Sequence, residues 1–270
     1  MRSESLVPSY FDSLAETYAA TQRLSPHCAA LLVSDIVRRV PRHTKAPLAD
    51  IGCGDAYLSS MLLLRAGFSH CILLDNSAGM LTRARRRIAR SPGLDRVSLI
   101  RADACALPLR SESMGVVMMA FVFHILREPK SVLMAVDRVL APDGWFFLVT
   151  YDPDDLAHSI YHRYFPGYRD IDSRRFVAVP RLIRLLSRCR FNNIESSRYP
   201  YQIRFRSVED AVNMVKSRPF SAMASYVDDA FSVALKEFES NLRQCFGQGT
   251  VTYRSHITVL SMTKSGNRLA

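Results

Sequence analysis

Short apolar runs alternate with helix-like segments between residues 47 and 151 of the chain. Continuous apolar runs suit strands buried on both faces, whereas apolar residues that recur every three or four positions suit amphipathic helices. The predicted strands span residues 48–52, 71–75, 97–101, 116–123 and 145–150, and the predicted helices span residues 57–65, 77–90 and 128–140. This regular alternation predicts a parallel sheet with helices on both of its faces.

The segments on either side of this alternation are mainly helical in pattern. Helices are predicted over residues 9–20, 26–40, 179–189 and 226–245, with one more that begins at the capping pattern of residues 207–210; strands are predicted over residues 194–199 and 250–262. A capping pattern of this kind places a serine before the helix and an acid three positions later. Residues 152–175 are rich in Asp, Tyr and His and are predicted to form an inserted loop or cap.

Together these elements predict a single α/β domain with a seven-stranded, mostly parallel sheet. The length of 270 residues fits one such domain with an elaborated cap. We expect a helical lid at residues 1–45, a core at 46–151, and a remainder at 152–270 whose segments 152–175 and 207–246 form a helical cap over a substrate site.

Composition and charge narrow the class of protein. Apolar residues make up 48% of the chain, which is enough for a large core. No apolar run reaches the roughly 18 residues of a membrane span, and the first residues lack the apolar segment of a signal peptide, so we expect a cytoplasmic protein. None of the six cysteines is spaced as C-x-x-C, which favours buried free thiols over a metal site or disulfides.

The net charge of +11 has two interpretations. It indicates either an anionic partner, such as RNA, an acyl-carrier protein or a lipid surface, or an arginine-rich solvated surface. The positive residues are spread along the chain, with one dense run at residues 83–87, and this spread favours the second interpretation. No pattern in the sequence predicts an oligomeric state.

The strongest local motif is the segment DIGCGDA at residues 50–56, between a predicted strand and a predicted helix. Gly52 and Gly54 permit a tight turn and a close approach of the backbone to a ligand. The helix that follows has free N–H groups at its start, where a ligand carboxylate can bind. Asp50, at the end of the strand, can accept hydrogen bonds from an ammonium group.

Two further acids stand at the ends of the next two predicted strands, where Asp75 is the last residue of the second strand. Asp75 lies 21 positions after Gly54, close to the spacing at which an acid binds ribose hydroxyls in dinucleotide-binding folds; an ordinary turn aspartate is the alternative. Asp103 follows the third strand. Because the carboxyl ends of parallel strands meet at one edge of a sheet, we expect Asp50, Asp75 and Asp103 to lie along one ligand crevice.

These motifs, in this order, resemble the class I S-adenosylmethionine-dependent methyltransferases. The resemblance is greatest to the branch that includes ubiquinone/menaquinone-biosynthesis enzymes and many small-molecule methyltransferases, and it covers about residues 8–151. It implies a Rossmann-like fold and S-adenosylmethionine as cofactor. The matching segments are LADIGCG at 48–54, LDNSAGML at 74–81, RADACALPL at 101–109, FVFHIL at 121–126 and VLAPDG at 139–144.

The resemblance also implies a role for each matching position. The methionine part of the cofactor would lie against Gly52, Gly54 and Phe121, with Asp50 at its amino group; Asp75 and the adjacent Asn76 would bind the ribose, and Asp103 and Ala104 the adenine. Tyr10 and Tyr18 match aromatic positions of a family helix that folds over the cofactor, although simple helix packing explains them equally well. Ala56 replaces a glycine that is usual in the family, and this departure puts full activity in question.

The residues of the acceptor site are less sharply indicated. His124, just after the fourth predicted strand, is the best candidate for a general base, with a structural histidine as the alternative. His158 and His162 are spaced i, i+4 and would share one face of a helix; zinc binding is disfavoured because no third ligand is evident, so we expect no metal. Tyr161 belongs to the aromatic part of the same insert, which suits a planar or apolar acceptor.

The sequence therefore predicts a methyltransferase that acts on an aromatic, quinone-like or specialised small molecule. Methylation of RNA or protein is the second hypothesis, and it depends on the positive charge. A cofactor-binding regulator without transfer chemistry is the third, and only Ala56 supports it.

Overall fold

A computed structural model of the chain describes residues 10–16, 24–40, 46–89 and 93–265. Its seven-stranded sheet has the order β3-β2-β1-β4-β5-β7-β6. Strands β1 to β5 run parallel, and β7 runs antiparallel to both β5 and β6. The predicted fold is confirmed. The strands are β1 (Leu48–Ile51), β2 (Cys71–Asp75), β3 (Val97–Arg101), β4 (Met114–Ala120), β5 (Leu140–Thr150), β6 (Phe191–Phe205) and β7 (Val251–Lys264).

Helices cover both faces of the sheet, as continuous apolar strands require. Helices α2, α3 and α4 bury one apolar face of the sheet, and α5 and α9 bury the other. The helices are α1 (10–16), α2 (Pro26–Arg39), α3 (Tyr57–Arg65), α4 (Ala78–Ile88), α5 (Pro129–Val139), α6 (Pro153–Leu156), α7 (Ile160–Tyr164), α8 (Tyr168–Asp172), α9 (Val179–Ser187), α10 (Val208–Lys216) and α11 (Asp228–Phe246).

Several element boundaries differ from those that the sequence predicts. Strand β4 ends at Ala120 instead of residue 123, because Phe121 has a left-handed backbone with φ of +58°. Strand β6 is much longer than predicted and pairs with β7 from Phe191 to Phe205. Its residues alternate between exposed and half-buried, so the apolar signal marked only its central part.

The insert at residues 152–175 contains three short helices, so of the two predicted alternatives, a loop or a cap, the structure has the helical one. Asp152 accepts a hydrogen bond from the backbone N–H of Asp154 at 3.0 Å and begins α6, and Ser159 accepts one from that of His162 at 3.2 Å and begins α7. Helices α7, α10 and α11, together with Val251, form a third apolar core beside the sheet. We call this unit the cap.

Two other expectations concern cysteines and membrane spans. All six cysteines are free, but only three are buried; Cys105 and Cys245 are exposed, so the prediction of buried thiols is wrong for them. None of the helices that the structure describes has the length and apolar character needed to cross a bilayer.

Candidate functional site

The order of the strands creates a crevice at one edge of the sheet. Chain connections leave the adjacent strands β1 and β4 in opposite directions, and ligands bind outside the carboxyl ends of strands at such a switch point. Two cavities lie there, with volumes of about 350 and 430 Å³. We call the smaller one the turn cavity, since the turns after β1, β2 and β3 line it, and the larger one the cap cavity. Residues that line both are Phe11, Gly52, Gly54, Ala120 and Phe121.

Glycine is required at both predicted positions of the turn after β1. Gly52 has φ of +73°, and a β-carbon there would collide with the side chain of Val122. Gly54 has φ of +53°, and its backbone N–H donates a 2.9 Å hydrogen bond to Asp75 Oδ2. The turn therefore exposes backbone atoms without side chains to both cavities. The hydrogen bond from Gly54 to Asp75 joins this turn to the end of β2.

Asp50 is buried below this turn with one carboxylate oxygen unpaired. Its Oδ2 accepts a hydrogen bond from the Ser59 hydroxyl, whereas its Oδ1 is buried without a partner in the structure. Burial, reinforced by the nearby charge of Asp75, raises the pKa of Asp50 to about 7. An ammonium group of a ligand would supply both the missing donor and a compensating charge.

The remaining predicted cofactor residues of the strand ends line the turn cavity. Asp75 accepts backbone hydrogen bonds from Gly54 and, at 2.9 Å, from Ser77, and burial raises its pKa. Asp103 accepts one from the backbone N–H of Cys105 at 2.8 Å. Each of these oxygens keeps acceptor capacity for a ligand hydroxyl or amine. Asn76 and Ala104 also line the turn cavity.

Ala56 begins α3 in a conformation that favours glycine. Its φ is +59° and its side chain is fully buried. An alanine in this left-handed region costs roughly 1–2 kcal/mol. Next to it, Asp55 pairs with Arg87, one arginine of the dense positive run, and the guanidinium of Arg87 lies over the Tyr57 ring at 5.2 Å. Arg87 therefore stabilises the turn after β1 through its ion pair with Asp55. The dense positive run at residues 83–87 is thus not only a solvated surface.

Helix α1 contacts the site through a residue other than the predicted tyrosine. Phe11 lines both cavities, whereas Tyr10 lines neither and donates a 2.5 Å hydrogen bond to the carbonyl oxygen of Arg218 in the cap. Asp12 accepts hydrogen bonds from the Ser77 hydroxyl and, at 2.8 Å, from the backbone N–H of Gly79, which fixes α1 to the start of α4. Tyr18 lies outside the described residues.

His124 lines the cap cavity and stacks on Phe176, with ring centroids 4.3 Å apart. Its Nδ1 is buried without a hydrogen-bond partner. Burial and, to a smaller degree, the positive charge of Arg175 lower the pKa of His124 to about 3. The imidazole is therefore neutral at pH 7, and its conjugate acid is too strong for efficient proton abstraction. The role of general base stays a prediction that this environment disfavours.

The three predicted acceptor residues occupy different places. Tyr161 and His162 line the cap cavity. His158 does not: it lies before α7, is exposed, and its Nδ1 accepts from Arg163 at 3.3 Å. The expectation that the two histidines share a helix face is therefore wrong, because the helix begins at Ile160. The part of the chain that the structure describes contains no group of three or more potential ligands arranged for a metal ion.

Several cavity residues were not apparent from the sequence. Asp172 and Arg175 come from the end of α8, and Tyr201 and Tyr253 come from the paired strands β6 and β7. They are far apart along the chain, and only the pairing of β6 with β7 and the packing of the cap bring them together. The one available signal was the density of aromatic residues after position 150.

Comparisons with known proteins find similarity to methyltransferases. A family described as a methyltransferase domain matches residues 49–148, which include β1 to β5 up to Leu148. A malonyl-[acyl-carrier protein] O-methyltransferase from Methylovorus is 30% identical over 151 residues, covering 54% of this chain and 50% of the relative. The ubiquinone/menaquinone biosynthesis C-methyltransferase UbiE of Ruegeria is 27% identical over 177 residues, covering 64% of this chain and 65% of the relative.

The chain spans about half the length of the first relatives that it matches. Among solved structures, the YcgJ protein of Bacillus subtilis has a TM-score of 0.62 at 16% identity, covering 89% of this chain and 99% of that protein. At this identity the likeness establishes the fold alone.

Proposed function

We propose that the chain is a class I S-adenosylmethionine-dependent methyltransferase and that it transfers the methyl group of this cofactor to a small molecule bound in the cap cavity. The cofactor supplies an electrophilic methyl group on a sulfonium. The residues of the chain hold the reactants in line and exclude water, which is most of what such a transfer requires.

The turn cavity fits the adenosyl part of the cofactor. Asp75 at the end of β2 offers acceptor positions for two ribose hydroxyls, with Asn76 beside it. Asp103 offers an acceptor for the adenine amine, with Ala104 beside the ring. These are the roles that the family resemblance implies, and the presence of both acids in the lining of one cavity supports them.

Asp50 and the glycine turn fit the methionine part. The unpaired Oδ1 of Asp50 is the acceptor that an ammonium group needs, and Gly52 and Gly54 leave room for the ligand beside the backbone. This unpaired buried oxygen is the observation that carries the proposal, because a carboxylate with a pKa near 7 and no cationic partner is otherwise costly.

Phe121 lies where the two cavities meet, and its ring centroid is 5.1 Å from that of Tyr151. A non-glycine residue with φ of +58° is uncommon and often marks a functional site. A sulfonium at this junction would have the adenosyl part of the cofactor in the turn cavity, the methionine part beside Asp50 where the cap cavity begins, and the acceptor in the rest of the cap cavity. The cap would then keep water from the reacting atoms.

The names of the relatives favour an organic acceptor over a nucleic acid. One is named for O-methylation of malonyl-[acyl-carrier protein] and another for C-methylation in quinone biosynthesis. The partly open, aromatic-lined cavity of about 430 Å³ suits a small acceptor or acyl group and is too small for a folded RNA.

Two measurements test the proposal. Calorimetry should detect binding of S-adenosylmethionine and of S-adenosylhomocysteine, and methyl-labelled cofactor should transfer its label to the metabolite fraction of a cell extract. Absence of binding for both compounds would refute the proposal. Label only in the RNA or protein fraction would replace the small-molecule acceptor by the second hypothesis, and binding without any transfer would support the regulator.

A further inference from the structure

His162 and Asp172 form a buried pair in the cap cavity. The His162 Nε2 lies 3.0 Å from Asp172 Oδ2, and the two side chains are only 4% and 7% exposed. The pair comes from α7 and α8, which pack into the cap core through Tyr161, Phe165 and Tyr168. A carboxylate that accepts the Nε2–H of a histidine fixes the tautomer and leaves Nδ1 free to accept a proton.

The pair is linked to the carboxyl edge of the sheet. Arg175 lies 3.7 Å from Asp172 Oδ1 and donates a 2.7 Å hydrogen bond to the Ser221 hydroxyl, and its charge acts on His124 after β4. His124, by contrast, has no carboxylate partner. Of the two histidines that line this cavity, His162 has the environment of a proton acceptor and His124 has not.

Apart from Asp50, which is assigned to the cofactor ammonium, the buried charges that line the cap cavity are paired before any acceptor binds. Arg175 faces Asp172, and Asp55 pairs with Arg87. Burial raises the pKa values of the Tyr161 and Tyr253 phenols, so both remain neutral. Arg204 is the other cation of the lining, and it is exposed. Among the described residues that line the cavity, an anionic acceptor would therefore find no unpaired buried cation, whereas a neutral ring would find aromatic walls.

Resting on the proposed function, we infer that the acceptor is an uncharged aromatic compound with an acidic hydroxyl, and that His162, positioned by Asp172, removes the proton of that hydroxyl during O-methylation. The hydroxyl oxygen forms a bond to the methyl carbon as the carbon–sulfur bond breaks. The electron pair of that bond stays on sulfur and gives S-adenosylhomocysteine. The hydroxyl proton passes to the imidazole of His162, which releases it to solvent after the product leaves.

A binding experiment tests the acceptor class with three probes of one shape. With S-adenosylhomocysteine present, 1-naphthol and 1-naphthylamine should bind measurably and 1-naphthoate at least about tenfold more weakly. Tightest binding of the anionic naphthoate, or no binding of any probe, would overturn the inference. Binding of S-adenosylhomocysteine is measured first. A failure of the proposed function would appear at that step, before the acceptor class is tested with the three probes.

A kinetic experiment tests the two residues with acceptors of different acidity. His162→Gln should slow methylation of 1-naphthol by about a hundredfold or more, and Asp172→Asn by a smaller factor, with cofactor affinity unchanged. Both variants should retain most of the wild-type rate on 4-nitro-1-naphthol, which is already ionised at neutral pH. A merely structural role would lower both rates alike.

His70→Gln is the matched control for these variants. His70 precedes β2 at the opposite edge of the sheet and bonds the Ser98 hydroxyl at 2.8 Å, so both rates should stay at the wild-type value. Equal losses on the two naphthols in His162→Gln, unimpaired methylation of 1-naphthol, or preferred methylation of 1-naphthylamine would each refute the assignment.

Discussion

The turn cavity and the cap cavity meet at Phe121, but different kinds of interaction build them. Around the turn cavity, carboxylates such as Asp75 accept hydrogen bonds from backbone N–H groups only two to about twenty residues away. Around the cap cavity, side chains from α7, α8, β6 and β7 meet, for example Tyr161 and Tyr253, whose ring centroids are 5.9 Å apart although 92 positions separate them.

Because different interactions build the two cavities, the cofactor half of the site, around the turn cavity, can vary independently of the acceptor half, around the cap cavity. A cofactor site made of strand ends and backbone depends on the sheet, which the strand pattern already specifies. An acceptor site made of long-range side-chain contacts can change its lining without disturbing the turns. The predictions below separate the two halves, beginning with the largest expected effect.

Removal of a large ring from the cap core should damage the acceptor half selectively. Phe238 is fully buried, and its ring centroid is 5.4 Å from that of Phe165. Phe238→Ala should destabilise the cap by about 3–5 kcal/mol, measured by urea unfolding, through lost burial and a residual cavity. Cofactor affinity of the folded protein should change little.

Val233→Ala is the control on the same helix, because Val233 is 66% exposed and should leave stability unchanged. Equal destabilisation in the two variants would mean that α11 is not the anchor of the cap. A large loss of cofactor affinity in Phe238→Ala would instead show that the cofactor half and the acceptor half depend on each other.

Loss of the acid at the end of β2 should damage the cofactor half. Asp75→Ala removes a charged acceptor for two hydroxyls and also releases the N–H groups of Gly54 and Ser77. Each hydrogen bond to a charged group contributes about 1.5 kcal/mol or more to binding. Because two such bonds are lost, the affinity for S-adenosylmethionine, measured by calorimetry, should fall by about a hundredfold. The control variant Asp229→Ala, at an exposed position of α11, should bind the cofactor normally. Wild-type affinity in Asp75→Ala would refute the ribose site.

Cofactor affinity should depend on pH through Asp50. Because burial raises its pKa to about 7, the carboxyl binds a proton below that pH, and this proton competes with the cofactor ammonium. Affinity should therefore fall as the pH is lowered from about 7 to 5, by up to about tenfold for each pH unit. Calorimetry across this range measures the slope. Asp50→Asn should flatten the profile, and a flat wild-type profile would contradict the role of Asp50.

The smallest expected effect is a gain in stability at the glycine turn. Ala56 has φ of +59°, so Ala56→Gly should relieve left-handed strain and stabilise the protein by roughly 1 kcal/mol in urea unfolding. The same change at Ala84, which is buried in the middle of α4, should destabilise by a similar amount. Destabilisation in both variants would show that the Ala56 methyl group contributes packing that exceeds the strain.

Most of the sheet and the turn residues could be predicted from the sequence because they depend on local signals. The apolar runs mark β1 and β2, and the glycines and acids stand directly after strands, where parallel topology brings them to one edge. Spacing alone does not tell which side of a helix faces a cavity, and Tyr10 lines neither of the two cavities. Phe11, one residue on, faces both.

The sequence by itself determined the carboxyl edge of the sheet, because strand period, glycine conformation and the place of an acid after a strand act over a few residues. The tertiary structure alone decided the acceptor half. Asp172 contacts His162 only because α7 packs against α8. Tyr253 lines the same cavity only because β7 packs beside these helices. Such packing depends on the complementary shapes of distant side chains, and no local pattern records which of them will meet.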